Sequence, residues 1–183
     1  MYIGITGTLG AGKGAVVEIL REYGYKHFSV RDFIAEKIAE RGLELNRDTL
    51  TFTANNLRET FGSSYITNQL YLKAKASGTK NAVIESIRVV SEIESLKKNS
   101  NFILWAVDAD VKTRYERIKE RKSATDNIDF DTFIANEQRE MTTSDPNHQN
   151  LSECIKRANH IFFNNGSIEE LQKQVLTELR PLH

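Results

Sequence analysis

Cysteine is nearly missing from this 183-residue chain. The single residue, Cys154, leaves no internal disulfide and no cysteine-rich metal site. The four histidines, His27, His148, His160 and His183, have no metal-ligand spacing. There are only two prolines and no low-complexity segment, so no linker or disordered arm is evident. A surplus of charge is also lacking. Lys plus Arg and Asp plus Glu both total 25, which argues against a dedicated nucleic-acid binder. No apolar run is long enough to span a membrane. The first residues already read as a strand, so no signal peptide is expected, and the chain reads as a cytoplasmic protein. Nothing in it resembles a Ser-His-Asp or Cys-His arrangement.

One motif is present from the start. Tyr2-Ile3-Gly4-Ile5 reads as an apolar strand, and Gly7-Thr8-Leu9-Gly10-Ala11-Gly12-Lys13-Gly14 follows it. The spacing is G-x-x-x-x-G-K, running into a helical pattern, which is the phosphate-cradling loop of P-loop NTPases. Glycines let the backbone wrap an anion with several N–H groups inward, and the helix start adds its positive end. Lys13 supplies a point charge for the β- and γ-phosphates. Gly14 replaces the Ser or Thr that usually holds Mg²⁺. Gly10 to Ala15 also fits G-x-G-x-x-[GA], with Asp32 placed as a ribose-binding acid. In that dinucleotide motif, however, the first glycine sits at the strand end, and Gly10 comes too late.

The remaining chain alternates strand and helix. Strands are expected over Tyr2–Thr6, Tyr25–Ser29, Asn81–Glu85, Phe102–Val107 and His160–Phe163. Between the second and third lies a purely helical stretch. In it Phe33, Ile34 and Ile38 recur at helical spacing. Asn46 caps a further helix with Leu50, Ala54, Leu57 and Phe61 on one face. Ser167 with Glu170 forms a capping box for a last helix burying Ile168, Leu171, Val175, Leu176 and Leu179. Ser123–Asp129 reads as a polar loop and Ser144-Asp145-Pro146-Asn147 as a turn. The pattern implies an α/β fold, a parallel sheet with helices on both faces. Ligands bind such sheets at the carboxyl ends of the strands.

The charged residues at those ends are the candidates. Arg31 and Asp32 follow strand two; either they orient a substrate or Asp32 starts a helix. Glu85 and Arg88 follow strand three, where a carboxylate can hold Mg²⁺ and an arginine can grip an anion. Arg114, Arg117 and Arg121 share one helix face, and Arg139 could close over the same site. Phosphoryl transfer asks for several such cations. Arg58, taken alone, reads as an exposed helix arginine. Cys154, His27 and His160 read as structural.

The loop Gly7-x-x-Gly10-Ala11-Gly12-Lys13-Gly14 resembles that of the adenylate kinase branch of nucleotide kinases. The wider chain resembles the dephospho-CoA kinase-like nucleotide kinases. The matching segments are Asn55-Asn56-Leu57-Arg58-Glu59, Glu85-Ser86-Ile87-Arg88, Val107-Asp108-Ala109 with Arg114-Tyr115-Glu116-Arg117, and the tail Ala158-Asn159-His160 followed by Asn164-Asn165-Gly166-Ser167. In the adenylate kinase branch a glycine after the lysine is normal and a threonine follows it; here Ala15 stands in its place. The resemblance implies a five-stranded parallel sheet in the order 2-3-1-4-5. It implies one domain with a core of 1–29, 79–121 and 151–183, an acceptor-binding helical insertion at 30–78 and a lid at 122–150. ATP would bind at Gly7, Thr8, Leu9, Gly10, Ala11, Gly12, Lys13, Gly14, Ala15, Asn165 and Gly166, the last two at the adenine. Arg31, Asp32, Arg58 and Arg88 would take the acceptor. Lys13, Arg117, Arg121, Glu85 and Asp32 would act in catalysis, and Glu85 would hold Mg²⁺, directly or through water.

The expected activity is transfer of the γ-phosphoryl group of ATP to a nucleotide-like acceptor, first of all a (deoxy)nucleoside monophosphate. A dephospho-CoA kinase would instead need a base such as Asp32 for its acceptor hydroxyl. A nucleotide-binding regulator with little turnover is the reading from another class. The expected partners are ATP and a small acceptor.

Overall fold

Alternating side chains along each strand feed two separate cores. In the computed structural model, which describes residues 1–121, 128–145 and 147–182, five strands form one parallel sheet. They are β1 (Tyr2–Gly7), β2 (Lys26–Ser29), β3 (Ala82–Glu85), β4 (Phe102–Asp108) and β5 (His160–Phe163). Their order is β2-β3-β1-β4-β5, as the resemblance implied, and every pairing is parallel. Lys122, most of the polar loop expected over Ser123–Asp129, Pro146 and His183 lie outside the described residues.

Nine α-helices surround the sheet among the described residues: α1 (Lys13–Glu22), α2 (Val30–Glu40), α3 (Arg47–Phe61), α4 (Tyr65–Ala76), α5 (Val90–Asn99), α6 (Val111–Arg121), α7 (Phe130–Met141), α8 (Leu151–Lys156) and α9 (Ile168–Leu179). Ile84, Phe102 and Leu104 face the core that α2, α3, α4, α5 and α8 cover. Ile3, Ile5, Val83, Trp105 and Val107 face the other, closed by α1 and α9. Period-2 alternation thus supplies both faces of a fully covered parallel sheet.

The caps fall where the sequence puts them. Asn46 and Thr49 form a reciprocal box at the start of α3, and Ser167 and Glu170 do the same for α9. Two expected core residues are instead exposed. Phe61 lies in the last turn of α3 and stacks on Tyr65, with ring centroids 4.7 Å apart. Ile168, in the first turn of α9, precedes the point where that helix meets the sheet.

The core on the α3 side also encloses charge. Arg58 and Glu92 have side chains 1% and 0% exposed. Arg58 Nε and Nη2 donate to Glu92 Oε1 at 3.2 and 3.0 Å. Glu92 Oε2 accepts from the backbone N–H groups of Arg88 and Val89, fixing the turn between β3 and α5. A buried ion pair adds little net stability while intact, but removing one member strands the other in low dielectric. Arg58→Ala should therefore cost about 3–5 kcal/mol of unfolding free energy by urea titration; a loss below 1 kcal/mol would mean that Glu92 finds water or another partner.

Candidate active site

At the carboxyl end of β1 the chain must turn sharply into α1. Gly10 has φ +80°, and a Cβ there would collide with the carbonyl of Arg114. Gly12 is the N-cap of α1 in the left-handed region, and a Cβ there would meet the Asn164 amide. Glycine is needed at both for conformation and for space. The loop is braced from behind. Asn164 Nδ2 donates to Ala11 O at 2.8 Å. Arg114 Nη1 donates to Leu9 O at 3.3 Å, and Thr8 Oγ1 to Asp108 Oδ1 at 2.6 Å.

Lys13 folds back over the loop and donates to Gly7 O and Thr8 O at 2.9 and 2.8 Å. Burial lowers its pKa to about 7, and the nearby Arg88 guanidinium pushes the same way. Glu85 and Glu140 oppose that shift and Arg121 adds to it.

A cleft of about 510 Å³ opens beside the loop. Of the residues expected to bind ATP, Leu9, Gly10, Gly12, Lys13, Gly14 and Ala15 line it. Gly7, Thr8 and Ala11 form the loop's inner wall and do not. Glu85, Arg31, Arg58, Arg88, Arg117 and Arg121 also line the cleft, so one space gathers candidates from five parts of the chain. Asp32 does not join them. It is exposed in the first turn of α2, its backbone N–H held by Ser29 Oγ at 3.1 Å. Asn165 and Gly166 lie outside the lining too. Asn165 Oδ1 accepts from Asp110 N at 2.7 Å, and Asn164, one residue earlier, is what touches the phosphate loop.

The expected basic face of α6 divides. Arg117 lines the cleft and donates to Asn164 O at 2.8 Å, and Arg121 lines the cleft as well. Arg114 is buried behind the loop, where Glu137 pairs with its guanidinium. Arg139 stays exposed and reaches Asp48 at 3.3 Å, away from the cleft.

Three lining residues, and one contact behind the lining, escape the sequence reading. His27 Nε2 and Glu85 Oε2 lie 3.1 Å apart. Burial alone would raise the Glu85 pKa, but the hydrogen bond with His27 and the charges of Lys13 and Arg88 outweigh it and hold it low. With Glu85 ionised, His27 is the donor. Arg47, Glu140 and Gln149 also line the cleft. Glu140 accepts from Arg47 Nη2 at 2.5 Å and pairs with Arg88, which also donates to Gln149 Oε1 at 2.8 Å. Glu140 had one available signal: it lies seven residues after Phe133, a spacing that sets it on that residue's buried face.

A family model described as an AAA domain matches residues 3–145. The UPF0200 protein of Methanococcus maripaludis strain C7 is 32% identical over 170 residues, covering 92% of this chain and 90% of that one. The chain belongs to the AAA domain family and to the UPF0200 proteins. The UPF0200 protein of Methanocaldococcus jannaschii is 29% identical over 177 residues, covering 96% of this chain and 87% of its own. Among solved structures, a shikimate kinase from Bacteroides thetaiotaomicron superposes with TM-score 0.61 at 13% identity, covering 100% of this chain and 98% of that one. The dephospho-CoA kinase from Campylobacter jejuni superposes with TM-score 0.56 at 15% identity, covering 99% and 96%. The fold is that of the P-loop kinases.

An anion seated in the loop favours the charged form of Lys13. Carbon-13 NMR of labelled lysine should show Lys13 titrating near 7. Saturating sulfate, which does not itself titrate there, should raise that value. Sulfate affinity should accordingly fall as pH rises through 7, as the ammonium is lost. A Lys13 titration above pH 10 would contradict the enclosure described.

Proposed function

We propose that the protein is an ATP-dependent phosphotransferase acting on a nucleotide-like acceptor, a (deoxy)nucleoside monophosphate in the first reading. One observation carries this. The chain is neutral overall, yet its cleft is lined by seven cations, Lys13, Arg31, Arg47, Arg58, Arg88, Arg117 and Arg121, against two carboxylates, Glu85 and Glu140. Such a cleft is built for two polyanions at once.

On this reading the loop 7–15 cradles the phosphates of ATP, and Lys13 follows the transferring group. Arg117 and Arg121 neutralise charge on it as the bond to the leaving oxygen stretches. Arg88 and Arg31 orient the acceptor, with Arg58 behind them. Val30, Ile34, Leu50 and Ala54 give the acceptor half an apolar wall suited to a flat ring. Residues 30–78 then serve as the acceptor-binding insertion and 122–150 as the lid.

Mg²⁺ fits this donor set. The cation takes one or two carboxylates and fills its remaining positions with phosphate oxygens and water. Glu85 is a hard oxygen donor kept ionised beside the loop, whereas Gly14 and Ala15 offer no hydroxyl. When bound, the metal would neutralise charge on the bridging phosphate oxygens.

The His27–Glu85 pair favours a second reading with a hydroxyl acceptor, as in dephospho-CoA kinase. A half-buried carboxylate held ionised beside the phosphate loop would be a base within reach of the cleft. In that reading Glu85 replaces Asp32 as the base.

ADP formation from ATP and Mg²⁺ with a panel of acceptors separates the readings. The panel holds each NMP and dNMP, dephospho-CoA, and a blank without acceptor. Turnover with a monophosphate supports the first reading and turnover with dephospho-CoA the second. No turnover anywhere would favour a nucleotide-binding regulator. Lys13→Ala should abolish turnover and leave the circular dichroism spectrum unchanged; surviving activity would remove the loop from catalysis. Arg88→Ala should raise the KM of the acceptor more than that of ATP, and an equal rise in both would move Arg88 out of the acceptor half.

A further inference from the structure

Glu140 is a carboxylate in an unfavourable place. It is 4% exposed and sits in the last turn of α7, where the negative end of the helix dipole repels an anion. Burial alone would raise its pKa, and Arg88 and Arg47 outweigh that and hold it low. These two arginines come from different elements, Arg47 from the first turn of α3 and Arg88 from the turn after β3. They converge on one point in the cleft, and that point is taken by the protein's own side chain.

The fit is incomplete. A carboxylate offers two oxygens. Arg47 Nε and, on the adjoining wall, Arg58 Nη1 are buried donors with no partner among the described residues. A tetrahedral oxyanion offers more acceptor positions and a second negative charge.

The earlier part of α7 is anchored independently. Asp129 caps its start, Phe133 is fully buried against Tyr115, and Glu137 is tied to Arg114. The turn after Glu137 is held by the Glu140 contacts together with one exposed pair, Arg139 with Asp48.

The geometry points to Glu140 as an internal stand-in for the phosphomonoester of the acceptor, which displaces it from Arg47 and Arg88 and releases the last turn of α7. This inference rests on the acceptor reading above and adds two things to it. Arg47 becomes an acceptor-binding residue beside Arg88. Selection also becomes a comparison of charge: a dianion displaces the single charge of Glu140, and a neutral nucleoside does not.

Calorimetric titration with inorganic phosphate and with adenosine tests it directly, on the wild type and on Glu140→Gln, a change that keeps the shape of the side chain. Glu140→Gln should bind phosphate about tenfold or more tightly than the wild type, because no internal anion competes. Its binding of adenosine should not change. Adding Arg47→Ala should remove the gain, which separates this position from phosphate held in the glycine loop. In the wild type, saturating phosphate should speed amide hydrogen exchange in residues 138–141 but not in α1. This second measurement needs no variant to fold. Equal or weaker phosphate binding by Glu140→Gln overturns the inference, as does unchanged or slower exchange in residues 138–141. Both measurements are independent of turnover. A tenfold gain with no turnover on the acceptor panel would sink the kinase reading and leave the displacement standing.

Discussion

The structure depends on holding like charges together. Cations that converge on one cleft repel one another, and the cost grows as they leave water. The chain answers with carboxylates of its own. Glu92 takes Arg58, Glu137 takes Arg114, Glu140 takes Arg47 and Arg88, and Glu85 faces Lys13. Each carboxylate comes from a different segment from its partner, so the pairs also tie α3 to α5, α6 to α7 and α7 to α3. Overall neutrality is therefore a poor guide to this protein. The balance of 25 against 25 hides a strongly positive cleft whose compensation is internal.

This division explains what could be read from the sequence. The glycine loop is made of backbone. Its glycines, its lysine and its place between strand and helix are contiguous, and local spacing is enough to specify them. The strands themselves and the caps Asn46 and Ser167 were legible for similar reasons, since alternation and end signals are local; the strand order is not local, and the family resemblance supplied it. The rest of the cleft, where the acceptor is proposed to bind, is made of side chains from α2, α3, the β3–α5 turn, α6 and α7. Nothing in the spacing of Arg47 and Glu140, 93 residues apart, announces a contact. His27 read as a structural strand residue, and only the neighbouring strand end shows it facing Glu85. Asp32 failed in the opposite way. A charged residue just after a strand can belong to the cleft or to the next helix, and Ser29 draws this one into the helix start.

The same division bears on how one fold serves many acceptors. The shikimate and dephospho-CoA kinases that superpose on this chain share the fold at 13% and 15% identity. A backbone-built loop survives such divergence, because it needs glycine at few positions and tolerates change elsewhere. An acceptor site built from side chains on separate helices is free to change with each of them. Function on such a scaffold resides in the site rather than the fold. Here the informative residues are side chains that converge on the cleft from separate elements: Arg47, Glu85, Arg88 and Glu140.

The two halves also share one electrostatic field. Arg88 is among the groups that hold the Lys13 pKa down, and Glu140 is among those that oppose it. On the proposed displacement, an acceptor that replaces Glu140 with a dianion at Arg88 would bring more negative charge toward Lys13 than the carboxylate it expels. Lys13 then gains a proton more readily, and the glycine loop becomes a better cradle for the phosphates of ATP. By linkage the effect must run both ways: ATP seated on a charged Lys13 changes acceptor affinity by the same factor. In the direction just described, dianionic acceptor and ATP reinforce each other, within the limit set by direct repulsion between their phosphates. Arg88, Arg117 and Arg121 line the same cleft, and on this reading they would keep that repulsion small. If the proposed function and displacement hold, cooperation between the substrates follows from where the charges stand and does not require a hinge.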